Sequence, residues 1–194
     1  MVSKTGYIES PQDPRDHILG YAPSNDIPHE YTYESMIDNI MDQGSTMKCV
    51  AYSTQYMIST IRSLNDQPTE SFIEDIYNSR SNSGEGMMIK EGMKYICKNV
   101  PDVFGYGRLN SIFAIKYHLL TCGPCVMALP VYSNNPDFWN GSEYAGGHAI
   151  ACIGYDENGF ILMNSWGKGW GYNGKCYLPY NEMNKVLECW GILV

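Results

Sequence analysis

The stretch that decides the fold is GGHAIACIGYDENGFILMNSWGKGWGYNGKCYLP, residues 146–179. His148 opens an apolar run that ends at Gly154, and a second apolar run covers residues 160–163. Between them stands Asp-Glu-Asn-Gly, residues 156–159, which is a turn-forming sequence. The pattern predicts two buried antiparallel strands in a hairpin, with His148 entering the first strand and Asn164 leaving the second.

The positions of His148 and Asn164 indicate a functional site at one edge of this hairpin. They are 16 positions apart, and a short-looped hairpin brings such positions near each other. Catalytic side chains often lie at strand ends and in the adjoining loops. An Asn beside a His can hold the imidazole in one orientation, so we expect the two side chains to pair.

A cysteine that could react with this imidazole lies at position 49. The apolar residues after it fall on one helical face, which predicts a helix starting at Cys49. A helix amino terminus favours a thiolate, and Lys48 adds a positive charge beside it. The alternative is that Cys49 is a buried small apolar side chain, since free cysteines are often buried.

Together these segments resemble the papain-like cysteine peptidases. Gln43-Gly44 lies six residues before Cys49, His148 follows, and Asn164-Ser165-Trp166-Gly167 comes next, in the family's order and spacing. The resemblance runs from Asp42 to Pro179 and is that of a compact intracellular or viral-style member without a long pro-region. It implies a papain-like cysteine endopeptidase, a hydrolase that acts on peptide or protein substrates.

The fold that the resemblance implies is α+β and two-lobed. A helical lobe at about 42–110 and an antiparallel, barrel-like β-sheet lobe at about 111–180 would enclose the active-site cleft, within a peptidase domain of residues 27–194. The carboxyl-terminal part, 181–194, would return to the helical lobe. Residues 101–110, with their glycines, read as a connector between the lobes.

The resemblance also assigns roles to residues. Cys49 would be the nucleophile, His148 its base and acid, Asn164 the group that orients His148, and Gln43 a donor to the oxyanion. Trp166 would shield the His148–Asn164 pair from water. The glycines at positions 84, 86, 146 and 147, together with Trp166, would line the substrate cleft.

Composition excludes other classes of protein. The chain has 194 residues, 44% of them hydrophobic, and no apolar run approaches the roughly 20 residues that cross a bilayer. A formal net charge of −8 argues against nucleic acid and anionic membranes as partners, because both require clustered Lys and Arg. The histidines outside the motif lack ligand spacing, so we expect no metal. We also expect no cofactor and a monomeric protein.

The cysteines point to a reducing compartment. There are seven, so at least one is unpaired, and Thr46 stands where secreted relatives carry a disulfide cysteine. The amino terminus has no apolar run of signal-peptide length. We therefore expect a cytoplasmic protein.

A second cysteine motif suggests a different activity. Cys122-Gly123-Pro124-Cys125 matches the active sequence of thioredoxin, which would make the chain a thiol-disulfide oxidoreductase. In thioredoxin the motif leaves a strand and opens a helix, whereas here a helical pattern precedes it and a β pattern follows. We expect a helix-to-strand turn instead. A third alternative is a catalytically silent papain-like protein that binds peptides.

The leading segment, residues 1–26, is rich in proline and shows no helical or alternating period. It nevertheless contains apolar residues, among them Tyr7, Ile8 and Leu19. Burying an extended apolar strip gains about 25 cal/mol per Å². We expect this strip to pack along the sheet lobe, where it either braces the fold or partly covers the cleft.

Overall fold

The structure, a computed structural model, describes residues 5–21, 27–61 and 69–194. The parts of the leading segment at 1–4 and 22–26 lie outside the described residues. The described residues include the α-helices α1 (Cys49–Ser59), α2 (Glu70–Asn78), α3 (Ile89–Asn99) and α4 (Ile112–Thr121). The strands are β1 (Tyr7–Ile8), β2 (Tyr31–Thr32), β3 (Met87–Met88), β4 (Gly105–Arg108), β5 (Cys125–Val131), β6 (Gly146–Tyr155), β7 (Gly159–Met163), β8 (Lys175–Pro179) and β9 (Glu188–Leu193). Short 3-10 helices cover Glu34–Met36 and Tyr180–Lys185.

The predicted hairpin and the helix at Cys49 are confirmed. Strands β6 and β7 pair antiparallel, with an irregularity between Cys152 and Gly154. Helix α1 begins at Cys49, but it is buried on every side rather than on one face, with only Ser59 partly exposed. It is enclosed because α2 and α3 pack on one side of it and strands β5 and β6 on the other.

Strand β5 separates the two main apolar cores. Its residues alternate in direction, so that Met127 and Leu129 join a core with α4, while Val126 and Ala128 join a core with α1, α2 and α3. Both faces of β5 are therefore covered, and all seven of its residues are buried. The α+β class and the packing of a helical group against a sheet agree with the sequence prediction.

The sheet is mixed and mostly antiparallel, and the expectation of a barrel-like sheet is wrong. Its main path runs β3-β1-β6-β5-β9-β4, while β2 and β7 pair with β6 and β8 pairs with β7. The sheet branches because the ten-residue strand β6 pairs with different strands along its length. In the described part of the chain, the strands at the two ends of the main path, β3 and β4, do not pair with each other, so the sheet is not closed.

Residues 101–110, which the sequence predicts to be a connector between the lobes, contain a strand. Residues 105–108 make up β4, which pairs antiparallel with β9 from the carboxyl-terminal segment. β9 lies between β5 and β4 and also contacts α3. None of the described helices is both long and apolar enough to span a bilayer.

Candidate active site

The thiol of Cys49 lies at the junction of α1 and the sheet. Cys49 is the first residue of α1, and it is completely buried. Its Sγ accepts a hydrogen bond of 3.4 Å from the backbone N–H of Ala149, the residue after His148. The start of α1 and the start of β6 therefore meet at this sulfur.

The electrostatics at Cys49 differ from the sequence expectation. Burial raises the pKa of the thiol to about 12, although backbone N–H groups of Ala149, Val50 and Cys49 act in the opposite direction. The ammonium group of Lys48 pairs with the Glu74 carboxylate, so its charge is neutralised locally. A helix terminus and a neighbouring lysine alone do not make this thiol acidic.

The side chains of His148 and Asn164 are paired as the hairpin spacing predicts. Nε2 of His148 and Oδ1 of Asn164 are 2.7 Å apart, and both residues are completely buried. An amide oxygen is only an acceptor, so Nε2 carries the proton and donates it. This hydrogen bond directs the other ring nitrogen, Nδ1, away from Asn164.

An aromatic cluster covers the imidazole ring. The Trp166 ring centroid lies 4.7 Å from that of His148, and the Phe138 centroid lies 5.7 Å away in an edge contact. Trp170 packs against the rings of Trp166 and Phe138. Aromatic rings therefore lie directly against the imidazole that forms the hydrogen bond with Asn164.

The Gln43 side chain is held on both sides of its amide. Nε2 donates to the Thr46 carbonyl at 2.7 Å, and Oε1 accepts from the Ser165 hydroxyl at 2.6 Å. Gln43 is buried, only three residues before Thr46 and six before Cys49. A primary amide has two N–H groups, so one remains beyond the bond to Thr46.

The start of β1 and the two residues before it, residues 5–7, lie against three of the four glycines expected to line the cleft. Gly6 donates its N–H to the Gly147 carbonyl at 3.2 Å, and its own carbonyl accepts from Met87 at 2.8 Å. A Cβ atom on Gly146 would meet Thr5, one on Gly147 would meet Tyr7, and one on Gly86 would meet the Gly6 carbonyl. Gly84 is exposed and has open space beside it, so it lies apart from this group.

The segment that follows β1 is anchored by charged side chains. The Glu188 carboxylate accepts from the Ser10 hydroxyl and from Arg108, both at 2.9 Å. Arg108 also reaches Asp16, which pairs with Lys90. Both carboxylates are buried, so their cationic and hydroxyl partners are needed to stabilise them.

The four residues 122–125 form the expected helix-to-strand turn. Cys122 follows the last residue of α4, Gly123 has a φ of 109°, and β5 starts at Cys125. Cys125 is completely buried, with its Sγ 3.6 Å from that of Cys189. The thiols of this motif lack the strand-to-helix setting of thioredoxin.

Two residues of the site were not singled out from the sequence. Ser165 contacts both Gln43 and Asn164, and its place directly after Asn164 was the available signal. Phe138 reaches His148 from a loop without periodicity, so no pattern identified it. Among residues 5–21, 27–61 and 69–194, no group of three or more His, Cys, Asp or Glu side chains is arranged to hold a metal ion.

Comparisons with known proteins show which family the chain is similar to. A family profile described as papain family cysteine protease matches residues 90–189. An uncharacterised peptidase C1-like protein of Acanthamoeba polyphaga mimivirus is 51% identical over 50 residues, which cover 23% of this chain and 16% of that protein. Papain of Carica papaya is 40% identical over 42 residues, covering 22% of this chain and 12% of papain.

The fold is also similar to a solved structure along nearly its whole length. Xylellain, a cysteine protease from Xylella fastidiosa, superimposes with a TM-score of 0.77 at 22% identity, covering 99% of this chain and 96% of that one. The matched segments of the two curated relatives are short parts of those proteins, whereas the family profile spans more than half of this chain. The chain therefore belongs to the papain family of cysteine proteases.

Proposed function

We propose that the protein is a cysteine peptidase that hydrolyses peptide bonds with Cys49 as its nucleophile and His148 as its base. One observation carries the proposal. The residue after His148 donates a hydrogen bond to the Cys49 sulfur, while His148 itself is oriented by Asn164. Nucleophile, base and orienting group thus belong to one connected set, which is the arrangement that covalent catalysis requires.

The proposed reaction begins with a proton transfer from Cys49 to Nδ1 of His148. The thiolate sulfur attacks the substrate carbonyl carbon, and the carbonyl π electrons move to oxygen, which becomes an oxyanion. The backbone N–H of Cys49 and the second N–H of the Gln43 amide would stabilise this oxyanion; one such donor is worth about 3 kcal/mol.

The oxyanion then collapses, and the C–N bond breaks as the imidazolium of His148 gives its proton to the leaving amine. The acyl group remains on Cys49 as a thioester. A water molecule, deprotonated by His148, attacks the thioester carbonyl, and the carboxylic acid product leaves as the thiolate–imidazolium pair is restored. Each proton is returned, so no cofactor is needed.

The burial of Cys49 makes His148 essential to this chemistry. With a pKa raised to about 12, an isolated thiol would be almost entirely protonated at neutral pH. An imidazolium beside it stabilises the thiolate by direct charge attraction in a medium of low polarity. Asn164 and the aromatic cluster support this role because they keep the charged ring in place.

Alkylation tests the assignment of the nucleophile. Treating the protein with a peptidyl epoxide and mapping the labelled peptide should give stoichiometric label on Cys49. Label confined to Cys122 would favour the oxidoreductase, and label on neither cysteine would favour the silent peptide-binding protein. Hydrolysis of peptide substrates, lost on alkylation, completes the test.

The leading segment is proposed to restrict access to this site. Strand β1 pairs with Gly147 and Met87 as an extended peptide would, so the segment and a substrate would compete for the same backbone groups. The Gly6 position is tightly enclosed, since a Cβ there would lie 2.4 Å from the Met47 carbonyl oxygen. Substrate binding then requires β1 to leave.

Two deletion variants distinguish a leading segment that covers the active site from one that only stabilises the fold. Removing residues 1–9 takes away β1 but leaves Ser10, Asp16 and the anchored part, so turnover of small peptides should rise with little change in melting temperature. Removing residues 1–26 should also lower the melting temperature, because Arg108 and Glu188 lose partners. Unchanged turnover in both variants would contradict covering.

A point variant gives a milder test with a matched control. Gly6→Ala introduces a Cβ against the Met47 backbone and should push β1 outwards and raise turnover. Gly20→Ala, in the same segment, has nothing within 4 Å of its new Cβ and should leave turnover unchanged.

A further inference from the structure

We propose that Ser165 is a positioning residue that fixes the direction of the Gln43 amide and joins it to the His148–Asn164 pair. The inference rests on the proposed peptidase function and adds a residue whose role that function did not assign. It concerns a single hydroxyl group, which is buried between the two halves of the site.

The contacts form one continuous chain. The Ser165 hydroxyl donates to Gln43 Oε1 at 2.6 Å, and the Ser165 backbone N–H donates to Asn164 Oδ1 at 2.8 Å. The same Asn164 oxygen accepts from His148 at 2.7 Å. In the reverse direction, the Gln43 backbone N–H donates to the Ser165 carbonyl at 2.8 Å.

These contacts restrict the Gln43 amide to one orientation. The Ser165 hydroxyl holds the amide oxygen, and the Thr46 carbonyl holds one amide N–H, so the second N–H has a defined direction. A flipped amide would bring its NH₂ group to the hydroxyl and its oxygen to the Thr46 carbonyl. Two acceptors would then face each other in a buried place, which is unfavourable.

The two roles of Ser165 use different groups. Its side chain acts on Gln43, and its backbone N–H acts on Asn164. Replacing the side chain should therefore disturb the oxyanion donor while the orientation of His148 is kept. This separation gives the inference a specific kinetic signature.

The experiment compares Ser165→Ala with Ser165→Thr, Gln43→Ala and the double variant Ser165→Ala/Gln43→Ala. Loss of one oxyanion donor typically lowers kcat by 10²–10³-fold, and a misdirected donor should cost less, roughly 5- to 50-fold. We expect Ser165→Ala to lower kcat by this amount with KM nearly unchanged, and Ser165→Thr, which keeps the hydroxyl, to recover most of it. The double variant should be no worse than Gln43→Ala, because both changes remove one function.

Alkylation by iodoacetamide distinguishes a positioning role from a merely structural one, because general damage to the site would slow alkylation together with turnover. This reaction forms no oxyanion, so Ser165→Ala should be alkylated at Cys49 at the wild-type rate and with the same pH profile. The matched control is Thr60→Val, which removes another buried hydroxyl, bonded to the Met57 carbonyl at the far end of α1. It should lower the melting temperature and leave kcat unchanged.

The outcomes separate failure of this inference from failure of the proposed function. A wild-type protein in which Cys49 is unreactive and peptides stay intact overturns both. An active wild type whose Ser165→Ala variant keeps its kcat, or whose losses multiply with those of Gln43→Ala, overturns only the role of Ser165. A parallel fall in alkylation and turnover would also overturn it, since the damage would then extend to Cys49 and His148.

Discussion

Cys49 and Cys122 both lie at the end of a helix, but at opposite ends, and the difference determines what each thiol can do. Cys49 is the first residue of α1, where free N–H groups and the positive end of the dipole face the sulfur. Cys122 follows the last residue of α4, where carbonyl groups and the negative end of the dipole disfavour an anion. The position on the helix, rather than the spacing of cysteines, distinguishes a candidate nucleophile from a turn.

The surroundings of the two sites extend this contrast. Around Cys49, the start of β6 brings a histidine, and the end of β7 brings the amide that orients it. Cys122 has the hydroxyl of Thr121 beside it, and Cys125 is buried next to Cys189. The following predictions test how far the two sites differ.

The largest effect should come from Cys49→Ser and His148→Ala. Each should lower kcat/KM by roughly 10⁴- to 10⁶-fold with the fold retained, because nucleophile and base act as one unit. Steady-state kinetics and circular dichroism check this. A double variant much worse than either single one would contradict a shared role.

Removing the histidine should also change the pH dependence of thiol reactivity. With burial raising the pKa of Cys49 to about 12, the thiolate fraction in His148→Ala should increase with pH, about tenfold for each pH unit between 7 and 9. At pH 7 the rate of alkylation by iodoacetamide should therefore fall well below that of the wild type. An unchanged rate at pH 7 would mean that His148 does not stabilise the thiolate.

Asn164→Ala should have an intermediate effect. It leaves the imidazole in place but removes the acceptor that orients it, so the loss should stay below the full contribution of a general base, within about 10²-fold. Comparing kcat/KM with that of His148→Ala measures the difference. A loss as large as that of Cys49→Ser would assign Asn164 more than an orienting role.

The local parts of this site could be predicted from the sequence, and the long-range parts could not. The strand periods and the turn residues 156–159 are encoded locally, so the β6–β7 hairpin and the approach of His148 to Asn164 followed from spacing. The neutralisation of Lys48 by Glu74 joins positions 26 apart and carries no local signal. The pairing of Lys48 with Glu74 therefore could not be predicted from the residues around Cys49.

The short strands likewise could not be predicted from local sequence patterns. β1 has only two residues, and its pairing with β3 and β6 depends on the path of the whole amino-terminal segment. β4 has two glycines among its four residues, and its partner β9 comes about 80 residues later. Such strands form because the neighbouring strand offers backbone N–H and C=O groups for hydrogen bonding, rather than because their own residues favour a strand.

Cys125→Ser should affect stability and leave catalysis intact. The serine hydroxyl would be placed in a completely buried site among the cysteines of β6 and β9, where it finds poor partners, and this costs about 1–3 kcal/mol. For a chain of this size the melting temperature should fall by roughly 2–4 °C per kcal/mol. A large fall in kcat at a temperature where the variant is folded would support a redox role for this motif.

Cys122→Ser should have the smallest effect of all. The Cys122 side chain is partly exposed after the end of α4, and its sulfur makes long contacts of 3.6 Å to the Thr121 hydroxyl and 3.9 Å to the Tyr21 hydroxyl. A serine hydroxyl can form the same contacts or bond to water, so turnover should change less than about twofold, as is usual for partly exposed substitutions. Peptide hydrolysis measured with and without a thiol reductant checks the point. If Cys122 were a redox nucleophile, its replacement would abolish disulfide reduction and remove any dependence of the activity on the reductant. If Cys122 is only a turn residue at the carboxyl end of a helix, its replacement should change neither property.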